Sequence, residues 1–299
     1  MLKLKDISQS LKIIEFIGDE NTVINNLIEL RNFDNNPNSL TWSNDKNIEL
    51  ASKITGGSII CSSKILELSL CQACNYIIVE NPRNSFQQVI QSFFAKPKKS
   101  NFISPSSFID DSVKLGNNLY VGQNVVIEEN CTIGNNVFIG HNTVIMADTV
   151  IHDDVVIGSN NTIGGIGFGY EKNEHGQNVL MPHIGNVILE KNVEVGNNTC
   201  IDRAMLGSTI ISENVKIDNQ IHIAHGVILG RNTLVMANAM IAGSTVIGEN
   251  VWVAPSSAII NASRVGDNAF IGIGAVVVKE VEGNIVVAGN PAKFLKSRT

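Results

Sequence analysis

The chain has 299 residues, enough for two domains or one long solenoid. Hydrophobic residues make up 43% of it but aromatics only 5%, a shortage that suits a narrow core of Val and Ile with no room for large rings. The net charge of -6 argues against nucleic acid as the main partner.

No basic segment followed by an apolar run opens the chain, and no stretch is long enough to span a bilayer. Five cysteines at irregular spacing do not form a disulfide framework. The expectation is a soluble, cytoplasmic protein without a membrane span. Cys71 and Cys74 make a lone C-x-x-C with no second pair or nearby histidine, a weak signal for metal or redox chemistry.

Residues 1–100 read as a small α/β domain. Apolar clusters at Lys12–Ile17, Gly57–Cys61 and Tyr76–Val79 predict strands. Ser85–Phe94 predicts a helix capped by Ser85, with Phe86, Val89, Ile90, Phe93 and Phe94 on one face. Pro82 sits just before it, and Lys96–Ser100 reads as a polar connector.

From Ile109 an aliphatic residue recurs every six positions, through Ile127, Ile145 and Ile163. Gly164–Tyr170 then leaves the pattern through a glycine-rich stretch, and a polar excursion runs to about Gly185. Hexads return at Leu189, Val195 and Ile201, and a short insert, Met205–Thr209, precedes an unbroken run from Ile211 to Val277. A period of six fits neither an amphipathic helix nor an alternating strand. It is the mark of hexapeptide repeats wound into a parallel β-helix. Three hexads make one triangular coil, so residues 18 apart stack, with neighbouring strands about 4.8 Å apart. The β-helix is placed at 101–282 and a C-terminal tail at 283–299. Asn117, Asn118, Asn124, Asn135, Asn136, Asn160, Asn161, Asn197, Asn198 and Asn214 fall at corners, where asparagine tolerates a left-handed backbone.

A bare β-helix is only a scaffold, so function must come from a site. His222 and His225 flank Ile223, whose side chain points into the prism. His225 is third in its hexad and should face outward. The residue 18 positions on is Gly243, which places a glycine backbone N–H one coil above an outward imidazole. A base beside a backbone donor is the minimum equipment for acyl transfer. Asp218, seven residues earlier, is a candidate to orient His225.

Ile217–His225, preceded by Thr199–Arg203, closely resembles UDP-3-O-acylglucosamine N-acyltransferases of lipid A biosynthesis, and so do Gly167–Tyr170 and Met181–Gly185. The resemblance extends weakly to Ser39–Asn44. It implies a left-handed β-helix, a homotrimer with active sites between subunits, His225 as general base and Gly243 as oxyanion donor. It further implies Asp218 and Asn219 as positioning groups, His222, Phe168 and Tyr170 at the substrate, and Trp42 and Asn44 on a uridine base. No bound cofactor is implied, only acyl-CoA or acyl-carrier protein as co-substrate.

This chain departs from the family pattern in four places. Gly226 follows the histidine where the family has Asn. A second histidine is missing near Asn261 or Ala262. The aromatic partner of Trp42 is replaced near Asn47. The tail Gly283–Lys293 resembles that of acyltransferases that use coenzyme A. Two versions therefore stay open: the lipid A enzyme, or a paralogue acylating a UDP- or dTDP-amino sugar for O-antigen from a shorter acyl-CoA. The tail favours the paralogue. The other classes are a metal-dependent lyase using His222 and His225, which needs about three converging ligands, and a non-catalytic scaffold. The Gly167–Tyr170 loop lacks Gly-Lys-Ser/Thr and does not open a helix, which weakens a nucleotide triphosphatase reading.

Overall fold

The structure is a computed structural model that describes residues 1–95 and 101–298; the connector expected at Lys96–Ser100 lies outside them. The chain divides into two compact units, Met1–Lys98 and Lys99–Thr299.

The N-terminal unit is built on a five-stranded sheet. Its strands are β1 (Ile13–Ile17), β2 (Asn26–Leu27), β3 (Ser39–Trp42), β4 (Gly57–Cys61) and β5 (Cys74–Val79), in the order β1-β5-β4-β3-β2. Only β1 runs antiparallel to its neighbour. β4 and β5 are buried along their whole length, which explains their continuous apolar runs. Helices α1 (Leu4–Ser10), α2 (Ile48–Ala51) and α3 (Pro82–Val89) complete the unit. The cap of α3 is Asn81, not Ser85: Asn81 accepts from the Asn84 N–H, and Pro82 opens the helix where its missing N–H costs nothing. Ile90–Phe94 continues as a wider π turn. Of the face expected on this helix, Val89 is buried but Ile90 and Phe93 are exposed. Burial pushes the Cys74 thiol up to about 12, which disfavours the free thiolate at neutral pH.

The second unit is the left-handed β-helix. Two-residue strands pair in parallel with those 18 positions away, as Val126 does with Val144. They form three sheets, the faces of a triangular prism. Each inward column is aliphatic: Ile127, Ile145, Ile163, Ile201, Ile223, Ile241 and Ile259 follow one another, all essentially inaccessible to water. Removing one such side chain down to alanine costs about 2–5 kcal/mol.

The corners explain the asparagines. The residue three places after most inward aliphatics has positive φ, as at Asn118 (φ 60), Asn160 (φ 59) and Asn198 (φ 56). Asn117, Asn135 and Asn197 sit one place earlier and serve otherwise. Their side chains form a ladder, in which the oxygen of one coil accepts from the backbone N–H of the coil below, as Asn135 does from Asn117 at 2.9 Å. Asn161 is buried and bonds the Gly196 carbonyl at 2.8 Å.

The hexads begin one repeat before Ile109, within the expected span, since Phe102–Ile103 already pairs with Tyr120–Val121. Ile285–Ala288 pairs with Phe270–Ile271, so the apolar column continues past 282, and Lys293–Ser297 folds back antiparallel on it. The excursion after Gly165 carries an exposed hairpin, Tyr170–Lys172 with Asn178–Leu180. The ladder steps there are 38 residues across the excursion and 22 across the insert, in place of 18.

Candidate active site

His225 leaves the strand His222–Ile223 on the outer side of the prism, half-buried. Its imidazole lies directly beneath Gly243. A Cβ on Gly243 would fall 2.6 Å from both Cε1 and Nε2 of the ring. Coil register is fixed on the same corner by the Ser244 N–H, which donates to the His225 carbonyl at 2.9 Å. Among the described residues the Gly243 N–H has no acceptor in hydrogen-bond range.

His141 shows why this matters. It occupies the same place in its hexad, but its Nδ1 accepts from the Gln123 N–H at 2.8 Å, as a corner asparagine would. The group that His225 would serve in the same way is the Arg203 N–H, and that already donates to the Gly165 carbonyl at 2.8 Å. The excursion thus relieves His225 of a structural duty. Its ring makes no protein hydrogen bond among the described residues and lines a cavity of about 360 Å³ with Phe168, His222, Met240, Gly243 and Asn261.

The corner is fixed from behind. Thr209, fully buried, donates its hydroxyl to the Asp202 carbonyl at 2.7 Å and accepts from the Gly226 N–H at 2.8 Å. Gly226 has φ +67, the left-handed conformation that asparagine holds at most other corners, so glycine replaces the family's asparagine without strain. Arg203 ties the glycine loop down, donating to the carbonyls of Gly164 and Ala147 at 2.8 Å each.

Electrostatics favour a neutral imidazole. Burial holds the pKa of His225 below its ordinary value of 6.5, and His183 and His222 beside it push the same way. The carboxylate that reaches this cluster is Asp202. Its Oδ2 lies 3.7 Å from His222 Nε2, and burial pushes its carboxyl pKa up against the lowering effect of His222 and His183.

The structure does not bring all the expected residues together. His222, His225, Gly243 and Phe168 line one cavity. Tyr170 reaches it through Phe168, at a ring separation of 4.9 Å. Neither Asp218 nor Asn219 is hydrogen-bonded to His225 within the chain. They follow a strand of a different face, where Asp218 accepts from Asn219 and from the Ala237 N–H, and Asn219 accepts from the Asn197 N–H. Seven residues exceed one hexad, so the chain has turned a corner between Asp218 and His225. In the N-terminal unit, Trp42 is half-buried against Phe86 at 6.1 Å. Asn44 is exposed and caps the turn Asp45–Asn47.

Sequence reasoning assigned no role to His183, Asp202 or Thr209. His183 packs edge-on against His225, ring centroids 5.2 Å apart. Asp202 lies within Thr199–Arg203, a stretch that signalled the family without revealing what its carboxylate touches. No three His, Cys, Asp or Glu side chains converge as a metal site among the described residues of this chain.

A family model for bacterial transferase hexapeptide repeats matches residues 130–165 and 208–243. The chain is 41% identical over 244 residues to the UDP-3-O-acylglucosamine N-acyltransferase of Protochlamydia amoebophila, covering 75% of this chain and 69% of that one. Against the enzyme of that name from Campylobacter lari it is 45% identical over 256 residues, covering 80% and 76%. The match to the Helicobacter pylori enzyme, 44% identical, spans about half of each chain, 54% and 52%. The solved UDP-N-acetylglucosamine acyltransferase of Francisella novicida shares the β-helix fold, with TM-score 0.60 at 22% identity over 65% of this chain and 69% of that one. The chain, an acyltransferase, belongs to the UDP-3-O-acylglucosamine N-acyltransferase family.

Proposed function

We propose that this acyltransferase moves an acyl group from a thioester to the amine of a UDP-linked, 3-O-acylated glucosamine, a step in lipid A biosynthesis. The observation that carries the reading is the free imidazole of His225 beneath the backbone of Gly243. The uncharged amine attacks the thioester carbonyl while neutral His225 takes its proton. The Gly243 N–H stabilises the oxyanion of the tetrahedral intermediate. Collapse breaks the C–S bond, and the imidazolium returns its proton to the departing thiolate. His222, held by Asp202, and Phe168 contact the acceptor in the cavity.

In the N-terminal unit, Trp42 is proposed to stack on the uracil through the ring face that Phe86 leaves free. Asn44, its oxygen engaged by the Asn47 N–H, offers its amide hydrogens to the base edge. A homotrimer is part of the same reading. The outward column Phe102, Tyr120 and Phe138, with ring separations of 5.4 and 4.4 Å, is exposed at Phe102 and buried at Tyr120, and its apolar rim suits lateral association of prism faces.

Sequence relatives outweigh the tail, so the lipid A version is preferred to the O-antigen paralogue. The donor remains an acyl-carrier protein or acyl-CoA. The test is thiol release with a panel of UDP- and dTDP-amino sugars, offering both donor classes in parallel. Turnover of UDP-3-O-acylglucosamine with hydroxyacyl carrier protein supports the proposal. Turnover confined to another amino sugar with short acyl-CoA replaces it.

A further inference from the structure

His183 stands out among the described polar groups of the β-helix unit. It is only 8% exposed, and its Nε2 is buried with no hydrogen-bond partner. Such a group is costly to leave unmade, by about 1–3 kcal/mol, and asks for a reason. Its other nitrogen, Nδ1, lies 2.8 Å from the Met181 carbonyl. A carbonyl only accepts, so Nδ1 carries a proton, and the tautomer that this selects has its lone pair on Nε2.

That lone pair is close to the proposed base. The position a Cβ would take on Gly167 lies 2.8 Å from His183 Nε2 and 2.9 Å from His225 Cδ2, so any side chain there would strike both rings, and the glycine leaves them free to touch. They meet edge to face at 71°. His225 therefore lies between the bare corner of Gly243 above and the ring of His183 beside it.

We infer that His183 is a positioning residue. It locks the imidazole of His225 beneath Gly243, and its tautomer, set by Met181, turns a neutral acceptor toward the ring that becomes an imidazolium during acyl transfer. This rests on His225 being the general base. The sequence concealed the pairing because His183 arrives on the excursion, outside the hexad register.

The experiment compares His183→Gln with His183→Leu. Glutamine keeps a donor for Met181 and a neutral acceptor; leucine keeps bulk and burial alone. Expected is a kcat within about threefold of wild type for glutamine and a loss of about tenfold or more for leucine. KM should stay within twofold and the melting temperature within a few degrees for both. Imidazole 1H–13C spectra of the same proteins, labelled at histidine, need no substrate. They should show one sharp His225 signal in wild type and His183→Gln, and a broadened or multiple signal in His183→Leu. Wild-type kcat and an unchanged His225 signal in His183→Leu, or equal losses in both variants, overturn the inference. An inactive wild-type protein refutes the acyl-transfer reading instead, and the spectra still decide the role of His183.

Discussion

Gly243→Ala tests the site's geometry with one methyl group. The added carbon would sit 2.6 Å from Cε1 and Nε2 of His225 and 3.1 Å from Nδ1. Ordinary contact between such atoms is about 3.5–4.0 Å, so the imidazole must retreat by about 1 Å. Gly243 has a backbone conformation open to alanine, and the atoms it meets first are the far end of a side chain with solvent beside it. Folding should therefore be nearly untouched, with a melting temperature within about 2 °C of wild type, since little beyond the imidazole has to move. Catalysis should not escape, because a displacement of about 1 Å costs about 100-fold. The assay is thiol release at saturating donor and acceptor, paired with a thermal melt. Activity within threefold of wild type would mean that His225 does not work beneath Gly243. A large drop in melting temperature would mean that the coil register is wrong.

Gly230→Ala is the control for that experiment. Its Cβ would strike the backbone carbonyl of Gly248, which cannot move aside, so a loss of about 1–3 kcal/mol should appear in the melt. Thr209→Val leaves the Gly226 N–H and the Asp202 carbonyl without their buried partner, costing about 1–3 kcal/mol for each, and should lower kcat as the corner behind His225 loosens. Ala262 holds a left-handed corner at φ 53 without the polar side chain that eases it, so Ala262→Gly should raise the melting temperature by a few degrees. In pH–rate profiles the acidic limb should have its midpoint below 6.5, because burial depresses the His225 pKa and only the neutral ring accepts a proton. Stability carries the matching sign. Protonation favours the unfolded chain as pH falls from 6.5 through the folded value, so His225→Ala should flatten the acid side of the stability curve.

The fold was legible because it is periodic. One aliphatic residue every six positions sets strand, corner and rung together, and counting 18 from His225 reaches Gly243. That arithmetic fails wherever the chain leaves the coil. The rung below His225 carries Arg203 rather than residue 207, because the insert before Ile211 lengthens the step to 22. Asp218 looked like the partner of His225 because it is near in sequence, whereas Asp202, on the rung below, is the carboxylate nearest in space to His222. The N-terminal unit was read less fully. Strands β4 and β5 announce themselves as apolar runs, but β3 alternates Ser39, Leu40 and Thr41, all buried, and its two hydroxyls disguise it. The helix cap was misplaced because both Asn81 and Ser85 are competent caps, and only Pro82 at the first helical position decides between them.

The central claim is that His225 is the base that takes the amine proton. Its most direct test is the rate of N-acylation by His225→Ala against wild type, with UDP-3-O-acylglucosamine as acceptor and the preferred thioester donor. The account predicts a loss of about 100- to 10,000-fold in kcat with an unchanged melting temperature. A variant that keeps more than a tenth of wild-type kcat would contradict it.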